Sequence, residues 1–203
     1  MQLVTLCCGA LSYLYLLLLV LLCKQLQPPI THSMIGPQNT EHQKNNKVMI
    51  VSALQAGKML HSGMIGVIPT ESVYGLVASA KNRHAVERVY DVKHRPSNKP
   101  CIILIAEASD MKAFGIDDQS IAAATQYWPG KVSVVVPCHN STYDYLTRGT
   151  ESIAFRQAGT AQVQEILSVS GPIIAPSANP DTLAPATTIQ QAVEYFEDTV
   201  DFY

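Results

Sequence analysis

Lys93, Arg95 and Lys99 stand within one seven-residue stretch of Lys93-His94-Arg95-Pro96-Ser97-Asn98-Lys99-Pro100. Cations of these types at this spacing suit a polyphosphate: arginine offers a planar fork matched to phosphate oxygens, and lysine a mobile point charge. Pro96 and Pro100 keep the chain extended, so the side chains project from it. Taken alone, the stretch is equally a solvated basic loop. Two other segments bear on the choice. Pro69-Thr70-Glu71-Ser72-Val73-Tyr74-Gly75 follows an apolar run from Met64 to Ile68, and Pro176-Ser177-Ala178-Asn179-Pro180 follows Ile173-Ile174-Ala175. Each reads as a strand running into a hydroxyl-rich turn. Ligands of α/β proteins gather beyond the carboxyl ends of strands, so the two turns and the cationic loop are expected to share one pocket.

Within these segments, Ser72 and Tyr74 can hold a polar substrate just past a strand end. Ser152 and Arg156, four apart on one predicted strand, share a face. An arginine among Ile, Ala and Phe is costly unless paired, which points to a ligand carboxylate or a buried acid. Ser177 and Asn179 alternate with Ala178 and can face one pocket; the alternative is an Asx or Ser turn. Thr187 opens the last helix and reads as a cap. The histidines show no triad or metal spacing. The five cysteines, Cys7, Cys8, Cys23, Cys101 and Cys138, form no C-x-x-C pair. Zinc binding is therefore not expected, and a reducing compartment is the simpler reading. Trp128, in Trp-Pro-Gly, reads as a core anchor.

The elements that must position these residues alternate along the chain. Helices are expected from Val51 to near Gly63, over 85–92, Ser120–Tyr127, Gln162–Ser168 and Thr188–Phe196. Strands are expected at 64–68, Cys101–Ala106, Val132–Val136, Ser152–Phe155 and Pro172–Ala175. That interleaving predicts an α/β sheet layered with helices.

The chain has 203 residues, 47% of them hydrophobic, and much of that excess lies in Leu3–Cys23, a run without a charged side chain. It is long enough to cross a bilayer as a helix, and Lys24 with Pro28-Pro29 would end it. Gln25–Lys47 is polar and linker-like. Residues 1–47 are thus expected to be a leader plus linker, either an anchor or a start-site artefact, and 48–203 the domain. The formal net charge is −2. Six cations, Lys81, Arg83, Arg88, Lys93, Arg95 and Lys99, nevertheless cluster in 81–99, while residues 100–203 hold four Lys or Arg against twelve Asp or Glu. A local patch on an acidic chain points to a discrete anion or a limited RNA contact more than to wholesale nucleic-acid binding.

In order and spacing, Pro-Thr-Glu-Ser-Val-Tyr-Gly, Lys-x-Arg-Pro-x-x-Lys-Pro, Trp-Pro-Gly and Pro-Ser-Ala-Asn resemble the YrdC-like family of threonylcarbamoyl-AMP synthases from Val48 onward. The resemblance implies a single α/β domain, with a twisted mixed sheet, helices around it and a concave ligand cleft. It implies a nucleotidyltransferase joining L-threonine, bicarbonate and ATP, with Mg2+, into threonylcarbamoyl-AMP and pyrophosphate for tRNA modification. Lys93 and Arg95 would be catalytic and, with Lys99, Ser152, Asn179 and Thr187, would bind ATP. Ser72, Tyr74, Arg156 and Ser177 would bind threonine. No protein-bound metal is implied. A threonylcarbamoyl-transferase machinery would follow in the cytoplasm, and RNA could meet the 81–99 stretch.

Ser72 replaces the family's threonine, and Leu104 stands where many relatives have histidine. The chain stops at Asp201-Phe202-Tyr203, where relatives add a strand-rich segment, so a weaker enzyme is expected. The rival readings are a non-catalytic RNA-binding module of the same fold and a membrane-anchored interaction protein. The hydrogenase maturation proteins that share the domain add zinc motifs absent from this sequence.

Overall fold

The structure, a computed structural model, describes residues 48–203. The expected leader and linker lie outside the described residues. None of the described helices is long and apolar enough to cross a membrane.

Helix α1 (Ala53–His61) opens on a capping box: Ser52 Oγ accepts from the Gln55 N–H, and the Gln55 side chain accepts from the Ser52 N–H. Strands β1 (Gly66–Pro69) and β2 (Tyr74–Ser79) form a hairpin around the Thr70–Val73 turn. Helix α2 (Arg83–Lys93) is capped by Asn82 and ended by His94 in the left-handed region, with Pro96 just beyond. Strand β3 (Ile102–Ile105) leads through a 3-10 segment, Ala108–Phe114, to α3 (Asp118–Thr125) and β4 (Val134–Pro137). A second short 3-10 segment, Ser141–Tyr143, and α4 (Asp144–Thr147) precede β5 (Ser152–Gln157). Helix α5 (Ala161–Ser170), β6 (Ile173–Ile174) and α6 (Ile189–Phe196) follow.

The sheet order is β1-β2-β6-β3-β5-β4, with β3 and β5 parallel and the other pairs antiparallel. The expected mixed sheet is therefore present. Because side chains alternate across a strand, one face collects Leu76, Ile103, Ile105, Phe155 and Ile174 in the larger core with Val86 and Val89 of α2. The other face, carrying Val77, Leu104 and Ile173, meets Leu60 of α1 and Val163, Ile166 and Leu167 of α5. That second layer stops short of the β4 edge, where Val135, in register with Ala154, is 64% exposed. The uncovered part of the sheet is what leaves room for a cleft.

The expected helices and strands are all found, with shifted ends. Strand β2 was not expected, and neither were the 3-10 segments or α4. Five of the six β2 positions are buried, so the period-two alternation that marks a half-exposed strand is missing from its sequence.

The last residues pack into the sheet edge. Phe202 bridges Gly66 in parallel, its carbonyl accepts from the Val67 N–H at 3.1 Å, and its ring is fully buried. Asp201 accepts from the Ile65 N–H at 2.8 Å and from Arg88 at 2.6 Å. A Cβ on Gly66 would overlap the Phe202 ring. Gly66→Ala should therefore displace the ring and destabilise the fold by about 1–3 kcal/mol. Denaturant unfolding measures this, and an unchanged midpoint would show that the ring moves aside freely.

Candidate active site

The two hydroxyl turns are stitched together by backbone. Gly75 bridges Ser177, the Leu76 N–H donates to the Pro176 carbonyl at 2.9 Å, and the Ala178 N–H donates to the Tyr74 carbonyl at 2.7 Å. Strands β1 and β6 both run antiparallel to β2, so their carboxyl ends meet on one edge. The shared pocket expected from the sequence follows from this topology. It is a cleft of about 300 Å3, at the small end for ligand sites. Thr70, Ser72, Tyr74 and Ser177 supply hydroxyls, Ile102, Leu104 and Ala175 an apolar floor, and Arg95 and Arg156 the cations. An adjoining cavity of about 150 Å3 shares Thr70, Ser72 and Tyr74 and adds Thr187.

Arg156 projects from β5 in register with Leu104, on the open face. Its Nε and one terminal nitrogen donate to Ser133 Oγ at 3.2 and 2.9 Å. No acid pairs with it among the described residues. The buried acid, one of the two partners expected for this arginine, is not found within ion-pair distance among the described residues. Arg95 is braced by its own loop, donating from Nε to the Lys99 carbonyl and from a terminal nitrogen to the Pro100 carbonyl, both at 3.0 Å. Its other terminal nitrogen lies 3.6 Å from Asp181, and Lys99 Nζ lies 3.2 Å from the same carboxylate. Lys99 does not line the cleft.

Lys93 departs from expectation. It is the last residue of α2 and only 1% exposed, not a projecting loop residue. Its ammonium donates to the Ser177 carbonyl at 2.9 Å, the Asn179 carbonyl at 2.7 Å and Asn179 Oδ1 at 3.1 Å. Burial, aided by the neighbouring Arg95 cation, pushes it from the ordinary 10.5 down to about 8, against the pull of Asp181.

Asn179 also departs: it does not face the cleft with Ser177. It is 5% exposed, its Oδ1 accepts from Lys93 and from Ser177 Oγ at 2.6 Å, and its Nδ2 donates to the Pro180 and Leu183 carbonyls. All four hydrogen-bonding positions of the amide are used, so the turn reading describes it better than a ligand contact. Ser152 lies outside the lining of the cleft and bonds Thr150. Thr187 is not the helix cap; that is Thr188, which accepts from the Gln191 N–H.

Two positioning residues carried no expectation. Glu71 Oε1 accepts from the Gly159 and Thr160 N–H groups, so this carboxylate ties the Thr70–Val73 loop to the two residues that lead into α5. The only sequence hint was a charged residue amid the turn. Tyr90 donates to the Lys99 carbonyl at 2.8 Å under the Arg148 guanidinium, 3.9 Å from its ring centre, and so anchors the cationic loop from below. Burial raises its phenol well above the ordinary range.

A model of the Sua5/YciO/YrdC family, described as telomere recombination, matches residues 58–203. The chain belongs to the Sua5/YciO/YrdC family. It is 35% identical over 129 residues to the threonylcarbamoyl-AMP synthase of Bacillus subtilis strain 168, covering 62% of this chain and 37% of that one. It is 34% identical over 154 residues to the enzyme of the same name from Marinobacter nauticus, covering 73% and 80%. The structure of P. abyssi Sua5 complexed with L-threonine superposes with a TM-score of 0.67 at 29% identity, over 74% of this chain and 45% of that chain. The chain thus spans less than half of the Bacillus and P. abyssi proteins. Escherichia coli YciO, at 19% identity and a TM-score of 0.63, shares the fold.

Proposed function

We propose that this Sua5/YciO/YrdC-family chain is an L-threonylcarbamoyladenylate synthase, making threonylcarbamoyl-AMP and pyrophosphate from L-threonine, bicarbonate and ATP for threonylcarbamoyladenosine modification of tRNA in the cytoplasm. The observation that carries this reading is one cleft whose lining holds Arg156, paired with no acid among the described residues, a braced Arg95 and four hydroxyls from two stitched turns. Arg156 takes the amino-acid carboxylate, with Ser72, Tyr74 and Ser177 orienting the rest. The amine and bicarbonate condense with loss of water to a carbamate, whose oxygen attacks the α-phosphorus of ATP as the bond to the departing pyrophosphate breaks. A carbamate of this kind loses carbon dioxide readily in water, so its formation needs a sheltered site. Arg95 faces the polyphosphate, with Lys99 in reach from the loop and Thr187 in the adjoining cavity. Lys93, Asn179 and Ser152 lie outside the lining, and we assign Lys93 and Asn179 to holding the turn.

Among the described residues, no three His, Cys, Asp or Glu side chains group to hold a metal ion. Magnesium would accordingly travel on the phosphate oxygens of ATP and neutralise their charge. RNA binding by the 81–99 stretch is not favoured, because its cations do not form one strip. Arg88 is engaged by Asp201, Lys93 is buried, and Arg95 and Lys99 meet Asp181. Incubating the protein with ATP, labelled bicarbonate and threonine should give a threonine-dependent adenylate. ATP binding without any such product would overturn the assignment.

Arg156→Lys should separate binding from chemistry. Lysine keeps the charge but loses the fork, which costs about 1.5–3 kcal/mol of charge-assisted bonding and raises the threonine KM roughly 10- to 100-fold, with a smaller change in kcat. Steady-state kinetics in threonine check this. An unchanged KM would remove Arg156 from the carboxylate site.

A further inference from the structure

We propose that Asp181 is an affinity-setting residue, a built-in counter-anion that occupies the polyphosphate-binding cations and must be exchanged for the ligand. The inference deepens the function proposed above and rests on its polyphosphate reading.

The Asp181 carboxylate lies 3.6 Å from the Arg95 guanidinium and 3.2 Å from Lys99 Nζ, one oxygen toward each. Its backbone is fixed, since the Asp181 N–H donates to the Lys93 carbonyl at 3.0 Å. The carboxylate is therefore held where two of the three clustered cations converge. The two partners differ in freedom. Arg95 is braced by the Lys99 and Pro100 carbonyls and its side chain is 19% exposed, whereas the Lys99 side chain is 55% exposed. Lys99 can swing from Asp181 to a phosphate while Arg95 stays in place. The fixed carboxylate meanwhile repels the incoming anion at short range, where screening by salt is weak. The result is looser binding of polyphosphate, including pyrophosphate as a leaving product, than the cation count alone would give.

The test is calorimetric binding of inorganic tripolyphosphate to the full chain, with a chelator present so that metal bridging does not enter. Asp181→Asn keeps the shape and removes the charge. It should bind about 3- to 10-fold more tightly than the parent, the size expected for relieving one partly screened charge contact. Lys99→Ala should cost more affinity in the Asp181→Asn background than in the parent, because Lys99 is then no longer drawn off by the carboxylate. That coupling is a readout that a purely structural Asp181 would not move. Asp181→Ser repeats the measurement with different chemistry should the asparagine variant fold poorly. Equal or weaker binding by the folded neutral variants overturns the proposal while the polyphosphate reading stands. Binding by neither parent nor variants removes that reading, and the counter-anion with it.

Discussion

On the function proposed above, Arg95→Ala should cut threonylcarbamoyl-AMP formation roughly 30- to 1000-fold while the protein stays folded. The fold should survive because Arg95 sits on the loop between α2 and β3, its hydrogen bonds go to Lys99 and Pro100 in that same loop, and its ion pair with Asp181 outside the loop is a long one at 3.6 Å. The Tyr90 hydroxyl still holds the Lys99 carbonyl from the other side. The reaction should slow, because the guanidinium lines the cleft and neither Lys93 nor Lys99 does. Losing a charge-assisted phosphate contact in a partly desolvated site costs about 2–4 kcal/mol of transition-state stabilisation, or roughly 30- to 1000-fold in rate. Arg95→Lys should recover part of this, since the charge returns without the fork. Single-turnover assays with labelled bicarbonate, run beside thermal melts, check both halves. Turnover by Arg95→Ala near the parent level would remove Arg95 from the reaction.

Residues whose role depends on their own strand or loop were legible in the sequence. Arg156 stood out because a charge in Ser-Ile-Ala-Phe-Arg has to be explained, and the two turns stood out because each follows a short apolar run. Their meeting in one cleft follows from strand order, which alternation of helices and strands suggested only as a class. What stayed hidden was set by long-range partners. Whether Lys93 projects or is buried depends on the Ser177 and Asn179 carbonyls 84 and 86 positions away. Glu71 holds the Gly159 and Thr160 N–H groups about 90 residues later, and no local pattern marks it. Asp181 looks like an ordinary turn residue until the fold sets it against Arg95 and Lys99. Strand β2 was hidden differently, since a strand buried on both faces carries no alternation to read. Local chemistry therefore named the cleft, and tertiary structure redistributed the work among its residues.

Lys93→Met should unfold the site rather than merely silence it, which separates Lys93 from Arg95 even though the two residues are neighbours in one motif. Methionine fills much of the same volume but leaves the Ser177 and Asn179 carbonyls without their donor in a buried turn. Unsatisfied buried acceptors cost about 1–3 kcal/mol each, so a loss of about 2–5 kcal/mol is expected, partly offset because burying the ammonium was itself unfavourable. That second effect has a pH signature. The folded-state value near 8 lies below the ordinary 10.5. Between these values the unfolded chain holds more protons at this site than the folded one, so stability rises with pH across the window. Below about pH 8 the lysine is charged in both states, and the folded form carries the full penalty of its burial. The parent should therefore gain stability relative to Lys93→Met as pH climbs from about 8 to 10.5, the difference cancelling the titration of other groups. Denaturant unfolding of both proteins across that range measures it. A difference that is flat or falls with pH would mean that the Lys93 ammonium is held in its charged form by the carbonyls around it, and that its burial costs the fold little.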